Sequence, residues 1–295
     1  MTTQQPRTAI VLSAGYFGFF AHAGFMQAVE DCGIEYSAIA GSSAGAIVAA
    51  LHASGVPAAE IIDSLTRIQK RDFWDNAGIA AALKALLRSG RGWTGLLKGE
   101  RFEQLIADGL RCQRFEDCPR SLYITAFNLT TGKDETFHAG TIADKVRASC
   151  SYPFLMTPRR IGDDDYWDGG FLAKVPLEVM TEREQPDRLL IHYLPTRTDD
   201  RHLHERNWTA FAMLEKALSA ARQEIETHRL RALHEYCERV LWIESLVPPL
   251  SPAKLADGKK AVAAAYHFAV QQFEENGLCK PASDGYNLGS LANLE

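Results

Sequence analysis

Three short stretches of the chain hold residues whose types and spacing can do chemistry. Gly41-Ser42-Ser43-Ala44-Gly45 fits G-x-S-x-G with Ser43 at its centre. In this pattern a serine sits on a tight strand-to-helix turn, and Gly41 and Gly45 let the backbone turn without a side-chain clash. The helix behind it aims its first N–H groups, Ala44 foremost, at a developing oxyanion. Asp168 follows Asp165-Tyr166-Trp167 and precedes Gly169-Gly170. A carboxylate at a strand end, with two glycines permitting close backbone approach, can accept a serine proton directly in a two-residue dyad. The plainer readings are a helix-capping Ser-Ser pair and a common Asp-Gly turn. The third stretch, Ser13-Ala14-Gly15-Tyr16-Phe17-Gly18, leads into a helix and offers the main-chain N–H groups of Gly15, Tyr16 and Gly18 to an anion. It matches neither the GxxxxGK[ST] phosphate loop nor the dinucleotide GxGxxG spacing. An oxyanion hole beside a nucleophile turn accounts for all three stretches together.

Other reactive residues read as structural. Cysteines stand at 32, 112, 118, 150, 237 and 279, with no CxxC and no metal-ligand spacing, so free or buried thiols in a reducing compartment are expected. Asp163, Asp164 and Asp165 read as a solvated hairpin tip, since no glycine-spaced calcium loop surrounds them. His22 reads as a structural histidine rather than a base, and His202 and His204 as part of a polar loop. Neither a metal nor a cofactor is expected. Phe73, Trp74, Trp93 and Leu96-Leu97 fit either the wall of an acyl pocket or ordinary core packing.

The elements that must position these residues follow from pattern. Thr8 to Leu12 reads as a buried strand, Phe19 to Cys32 as a helix stopped by Gly33, and Tyr36 to Ala40 as a second strand running into the Ser43 turn. A helix ending at Gly55 follows, with Pro57 opening another. Strand and helix alternate, which predicts an α/β fold with a parallel sheet. Residues 72–118 are less regular, and the run from Gly78 to Gly90 fits a packed helix or a membrane-surface one. Further strands are expected at Ser121 to Leu129 and at 188–194, with hairpins through Thr131-Gly132-Lys133 and between Arg160 and Trp167. A long helix follows Asn207, then a strand in VLWIES and a closing helix from Gly258. Residues 8–195 form the expected core and 196–295 an extension packed on it.

Composition bounds the rest. At 295 residues, 46% hydrophobic and 23% charged, the chain is neither disordered nor fibrous. A net charge of −5, from 32 basic and 37 acidic residues, supplies no field for nucleic acid. No apolar run reaches the ~18 residues of a membrane span, and the N-terminus lacks a signal-type apolar region, so a cytoplasmic location is expected.

The chain resembles the patatin-like phospholipases. LSAGYFGFFAHAGFMQAVE, AIAGSSAGAIVAAL and ASCSYPFLMTPRRIGDDDYWDGGFLAKVPL agree with that family in order and spacing across residues 8–195. The resemblance implies a three-layer α/β/α architecture with a central, mostly parallel sheet. It further implies a Ser–Asp dyad in which Ser43 attacks a lipid ester carbonyl and Asp168 is the base, without histidine or metal. A lipid or other acyl-ester substrate and transient contact with a membrane surface go with it. The glycine loop departs from the family pattern in lacking an Arg or Lys. That departure keeps a soluble carboxylesterase or thioesterase, and a catalytically silent lipid-binding relative, as alternatives.

Overall fold

The computed structural model describes residues 6–75, 94–172, 174–195, 210–233, 239–247, 250 and 255–279. The run 78–90, Trp93, His202, His204 and Cys237 lie outside the described residues. An eight-stranded sheet forms the centre. Five of its strands run parallel: β1 (Thr8–Leu12), β2 (Ala38–Ser42), β4 (Ser121–Asn128), β9 (Arg188–Tyr193) and β10 (Arg239–Glu244). Their order is β10-β9-β1-β2-β4. Two antiparallel strands, β5 (Lys133–Phe137) and β8 (Asp164–Trp167), pair with β4, and β7 (Arg159–Ile161) closes that edge against β8. A separate two-stranded piece joins β3 (Gly95–Leu97) to β6 (Phe154–Met156).

Eight α-helices are described: α1 (Phe19–Asp31), α2 (Ala44–Ala53), α3 (Ala58–Arg67), α4 (Lys70–Phe73), α5 (Glu100–Gly109), α6 (Ala143–Ser149), α7 (Ala210–Leu233) and α8 (Gly258–Glu275). The sheet is covered on both faces, which is why its strands read as continuous apolar runs rather than alternating ones. Period-two geometry still sorts the side chains. Ile10, Leu12 and Ile39 face a core built with Phe20, Phe25, Val48, Ile61 and Tyr266. Ala9, Val11, Ala38 and Ala40 face the opposite side, against Val175, Leu177, Val179 and Met180. The smaller residues lie on the side where a compact segment, ending in a π-helical turn at Met180–Glu184, packs close.

Register decides where the site forms. Leu12 is level with Gly41 of β2 and with His192 of β9. The carboxyl ends of three neighbouring strands therefore finish together, with β1 connecting to β2 on one side and β9 arriving on the other. Such a switch point opens a crevice at the strand ends. Strand β2 lies two residues later than the Tyr36 to Ala40 expected from propensity. Pairing with β1 begins at Ala38, and the ladder carries Gly41 and Ser42 into the strand despite their poor intrinsic preference. Strand β6 and the π-helical turn carry no periodic signal and were not anticipated.

Cysteine chemistry differs from expectation. Cys32 and Cys279 form a disulfide, with Cα atoms 5.0 Å apart across 247 residues of sequence. No local spacing announces it, because it arises from α8 packing along α1. Tyr266 of α8 donates to Asp31 Oδ2 at 2.8 Å beside the bond. Cys112, Cys118 and Cys150 remain thiols. Restricting the unfolded chain over so long a loop is worth about 2–5 kcal/mol. Reduction, or Cys279→Ser, is expected to lower the urea midpoint accordingly. An unchanged midpoint after confirmed reduction would show that α1 and α8 hold together without it.

Candidate active site

Ser43 occupies the turn between β2 and α2 with φ 51° and ψ −118°, a conformation that L-residues rarely adopt. Bonds to both its N–H and its carbonyl hold it there. Its N–H donates to Ser149 Oγ at 2.8 Å, and Ser149 in turn donates to the Thr125 carbonyl at 2.6 Å. The Ser43 carbonyl accepts from Ala46 N–H at 2.9 Å, which opens α2, and from the Cys150 thiol at 3.3 Å. Burial pushes that thiol well above its ordinary pKa, so it stays protonated.

The structure brings Asp168 to Ser43 across 125 residues: the serine Oγ donates to Asp168 Oδ2 at 2.6 Å. The other carboxylate oxygen, Oδ1, accepts Gly170 N–H at 2.8 Å. Main-chain bonds from Asp168 N–H to Ser151 O and from Gly169 N–H to Ser149 O, each 3.0 Å, fix the turn. The end of α6 thus anchors both partners. Ser149 and Ser151, buried residues in the run ASCSYP, are positioning residues that sequence reasoning assigned no task. Asp168 is only 5% exposed, and that burial raises its carboxyl to about 6. The Ser43 hydroxyl, Gly170 N–H and the Arg222 charge pull the other way. A carboxylate so placed is ionised at neutral pH yet basic enough to take a proton.

The glycine loop lies beside them. Leu194, just beyond β9, packs so closely on it that a Cβ at Gly15 or Gly18 would come within 2.9 or 2.3 Å of its Cδ1. Gly18 commits its N–H to the Gly15 carbonyl at 3.0 Å, and Ala14 commits its own to Lys174 O at 2.7 Å. Gly18 is therefore not a free donor, contrary to the expectation from spacing. Tyr16 sits at the crest, 60% exposed, edge-on to Phe17 and Tyr152. Phe17 supplies the loop's left-handed residue, φ 53°.

His22 is fully buried beneath the loop and takes no place beside Ser43. Its Nε2 meets the Ser13 carbonyl at 2.8 Å, and its Nδ1 meets His192 Nδ1 at 2.8 Å. Burial lowers it to about 3 and also holds His192 well below its ordinary value, so both rings are neutral. A carbonyl only accepts, which puts the His22 proton on Nε2. His192 then donates from Nδ1, and its Nε2 accepts from the Ser245 hydroxyl at 2.9 Å. The pair is a scaffold tying the loop to β9. Asp164 of the acidic run accepts from Asn128 Nδ2 at 3.2 Å. No group of three or more candidate metal ligands gathers among the described residues, and no helix of the described residues is long and apolar enough to cross a membrane.

The chain is similar to known proteins. An uncharacterised NTE family protein of Mycobacterium tuberculosis is 27% identical over 59% of this chain and 46% of its own length. A lysophospholipase of Kluyveromyces lactis is 29% identical over 59% of this chain and 12% of its own. The chain thus matches less than half the length of these relatives. The fold is similar to that of VipD from Legionella pneumophila, with TM-score 0.54 and 17% identity, covering 92% of this chain and 67% of that one. The family model for patatin-like phospholipases matches residues 10–181, more than half of the chain and all three motifs, and the chain therefore belongs to that family.

Proposed function

We propose that the protein is a serine acyl hydrolase that cleaves carboxylic ester bonds of lipids through Ser43 and Asp168. The observation that carries this reading is the 2.6 Å hydrogen bond from Ser43 Oγ to a buried carboxylate. Ser43 Oγ attacks the ester carbonyl carbon while its proton passes to Asp168. The carbonyl oxygen becomes an oxyanion, held by the N–H groups of Gly15 and of Ala44, the first residue of α2, where the helix dipole adds to the attraction. Collapse breaks the bond to the alcohol oxygen, which leaves with the proton from Asp168. Water then attacks the acyl-enzyme, gives its proton to Asp168, and the acid is released as Ser43 recovers the proton.

A lipid ester as substrate is supported by the family and by the lysophospholipase among the relatives. With a net charge of −5 and no basic residue in the loop, capture rests on apolar contact rather than attraction to anionic surfaces. The Cys32–Cys279 disulfide favours an oxidising location over the cytoplasmic one expected from sequence.

The test is labelling with a fluorophosphonate probe followed by peptide mapping. Modification is expected on Ser43 and lost in Ser43→Ala. A well-folded wild type that neither labels nor cleaves short-chain nitrophenyl esters would overturn the assignment. Comparing phospholipid, lysophospholipid, triacylglycerol and acyl-CoA substrates separates lipid hydrolysis from soluble ester or thioester cleavage.

A further inference from the structure

Helix α7 lies beyond the stretch that the family model matches, yet it reaches the site. Arg222, Glu226 and Arg229 stand at i, i+4 and i+7 along it, one face of a helix. All three grip the segment that follows Asp168. Arg222 Nη1 donates to the Gly170 carbonyl at 2.9 Å. Glu226, a buried carboxylate, accepts Lys174 N–H on one oxygen and the Tyr193 hydroxyl on the other, each at 2.9 Å. Arg229 Nε pairs with Glu178 at 2.8 Å.

The grip passes on to both halves of the site. Gly170 is the residue whose N–H anchors Asp168 Oδ1, so the Arg222 bond fixes the far side of the same residue. Lys174, held by Glu226, accepts Ala14 N–H at the start of the glycine loop and sends its ammonium to the Leu194 carbonyl at 2.6 Å. Leu194 is the side chain packed on Gly15 and Gly18. One helix face thus holds the aspartate turn and the glycine loop through separate chains of contacts.

We propose that α7 is the clasp of the active site, and that Arg222 is a positioning residue that holds Gly170, and through it the Asp168 carboxylate, in line with Ser43. This rests on the reading of Asp168 as the base. Without the guanidinium, the Gly170 peptide is released on its carbonyl side, and the N–H that orients Oδ1 is no longer fixed. The groups facing Asp168 are the Ser43 hydroxyl from the β2–α2 turn, the Gly170 N–H, the Cys150 thiol beyond α6 and the Arg222 cation from α7. Removing the one cation among them disfavours the ionised carboxylate.

The experiment compares wild type, Arg222→Met, Arg222→Lys and Asp168→Asn in the full chain. It reads kcat and KM on a short-chain nitrophenyl ester, fluorophosphonate labelling rate against pH, and Tm. Arg222→Met is expected to lower kcat tenfold or more with KM within twofold, and to move the acidic limb of the labelling profile upward in pH. Arg222→Lys, which keeps a cation able to reach Gly170 O, restores the limb and part of kcat. Wild-type kcat and limb in a folded Arg222→Met would overturn the proposal. So would losses in both variants that only follow the folded fraction, with the limb unmoved. If Asp168→Asn still labels at the wild-type rate, it is the base assignment that fails. If Asp168→Asn is silent while Arg222→Met behaves as wild type, the dyad stands and the clasp falls.

Discussion

Asp168→Asn is expected to lose kcat by ~10³-fold or more while becoming more stable than the wild type at neutral pH. The two effects share a cause. Burial raises the carboxyl to about 6 from its usual 3.8, so the folded protein holds this proton more tightly than the unfolded chain does. The stability tied to that proton is full below pH 3.8 and is lost as pH rises through about 6. At pH 7 the ionised carboxylate therefore opposes folding by an amount on the order of 1–3 kcal/mol. An asparagine is neutral and nearly the same shape. Its Oδ1 accepts the Gly170 N–H and its amide donates toward Ser43, so the turn is kept while the buried charge is gone. Calorimetry should show a higher Tm, and turnover should be near background. The wild-type kcat/KM should fall with decreasing pH below about 6, as the base takes up its proton. Near-wild-type turnover in the variant would remove Asp168 from the mechanism, and a lower Tm would refute the charge penalty.

Gly45→Ala is expected to prevent stable folding. In an ordinary helix this change helps by up to ~1 kcal/mol. Here the added Cβ would lie 2.3 Å from the Leu12 carbonyl oxygen and 2.7 Å from that of Ser13. Both are backbone atoms where β1 becomes the glycine loop, so relief requires α2 and the central strand to separate. Overpacking of that kind costs roughly 3 kcal/mol or more, a large part of a domain's stability. Soluble yield and Tm measure it, and a variant within a few degrees of the wild type would show that α2 can slide.

Much of the site was readable from sequence because its determinants are local. The strand-turn-helix context of Ser43, the Asp-Gly-Gly run and the glycine loop each carry their chemistry within six residues. What was hidden depends on distance in space. Ser149 matters because a ladder brings Thr125 level with Ser42, and no pattern around a lone serine announces a bond to an N–H 106 residues away. The Gly18 N–H looked available because spacing does not reveal the tight turn back to Gly15. Nothing in the pattern singles out Arg222, Glu226 and Arg229 within the expected long helix, since charges at helical spacing usually form a solvated face. Their partners, the Gly170 carbonyl, Lys174 N–H, the Tyr193 hydroxyl and Glu178, lie far away in sequence. For the parallel sheet, continuous apolar runs were sufficient. Strand β6, in the separate two-stranded piece, and the π-helical turn on one face of the sheet had no periodicity to read.

The Cys32–Cys279 bond also divides the molecule covalently. It closes everything between those residues into a ring, which contains Ser43, Asp168, Arg222 and every described strand except one. The exception is β1, the strand with partners on both sides at the switch point, which lies outside the ring together with the glycine loop and α1. Ser43 and Asp168 therefore share one closed loop of chain, while Gly15, the proposed oxyanion donor, stands on the segment that precedes it. The disulfide thus draws a covalent boundary between the proposed dyad on one side and the glycine loop on the other.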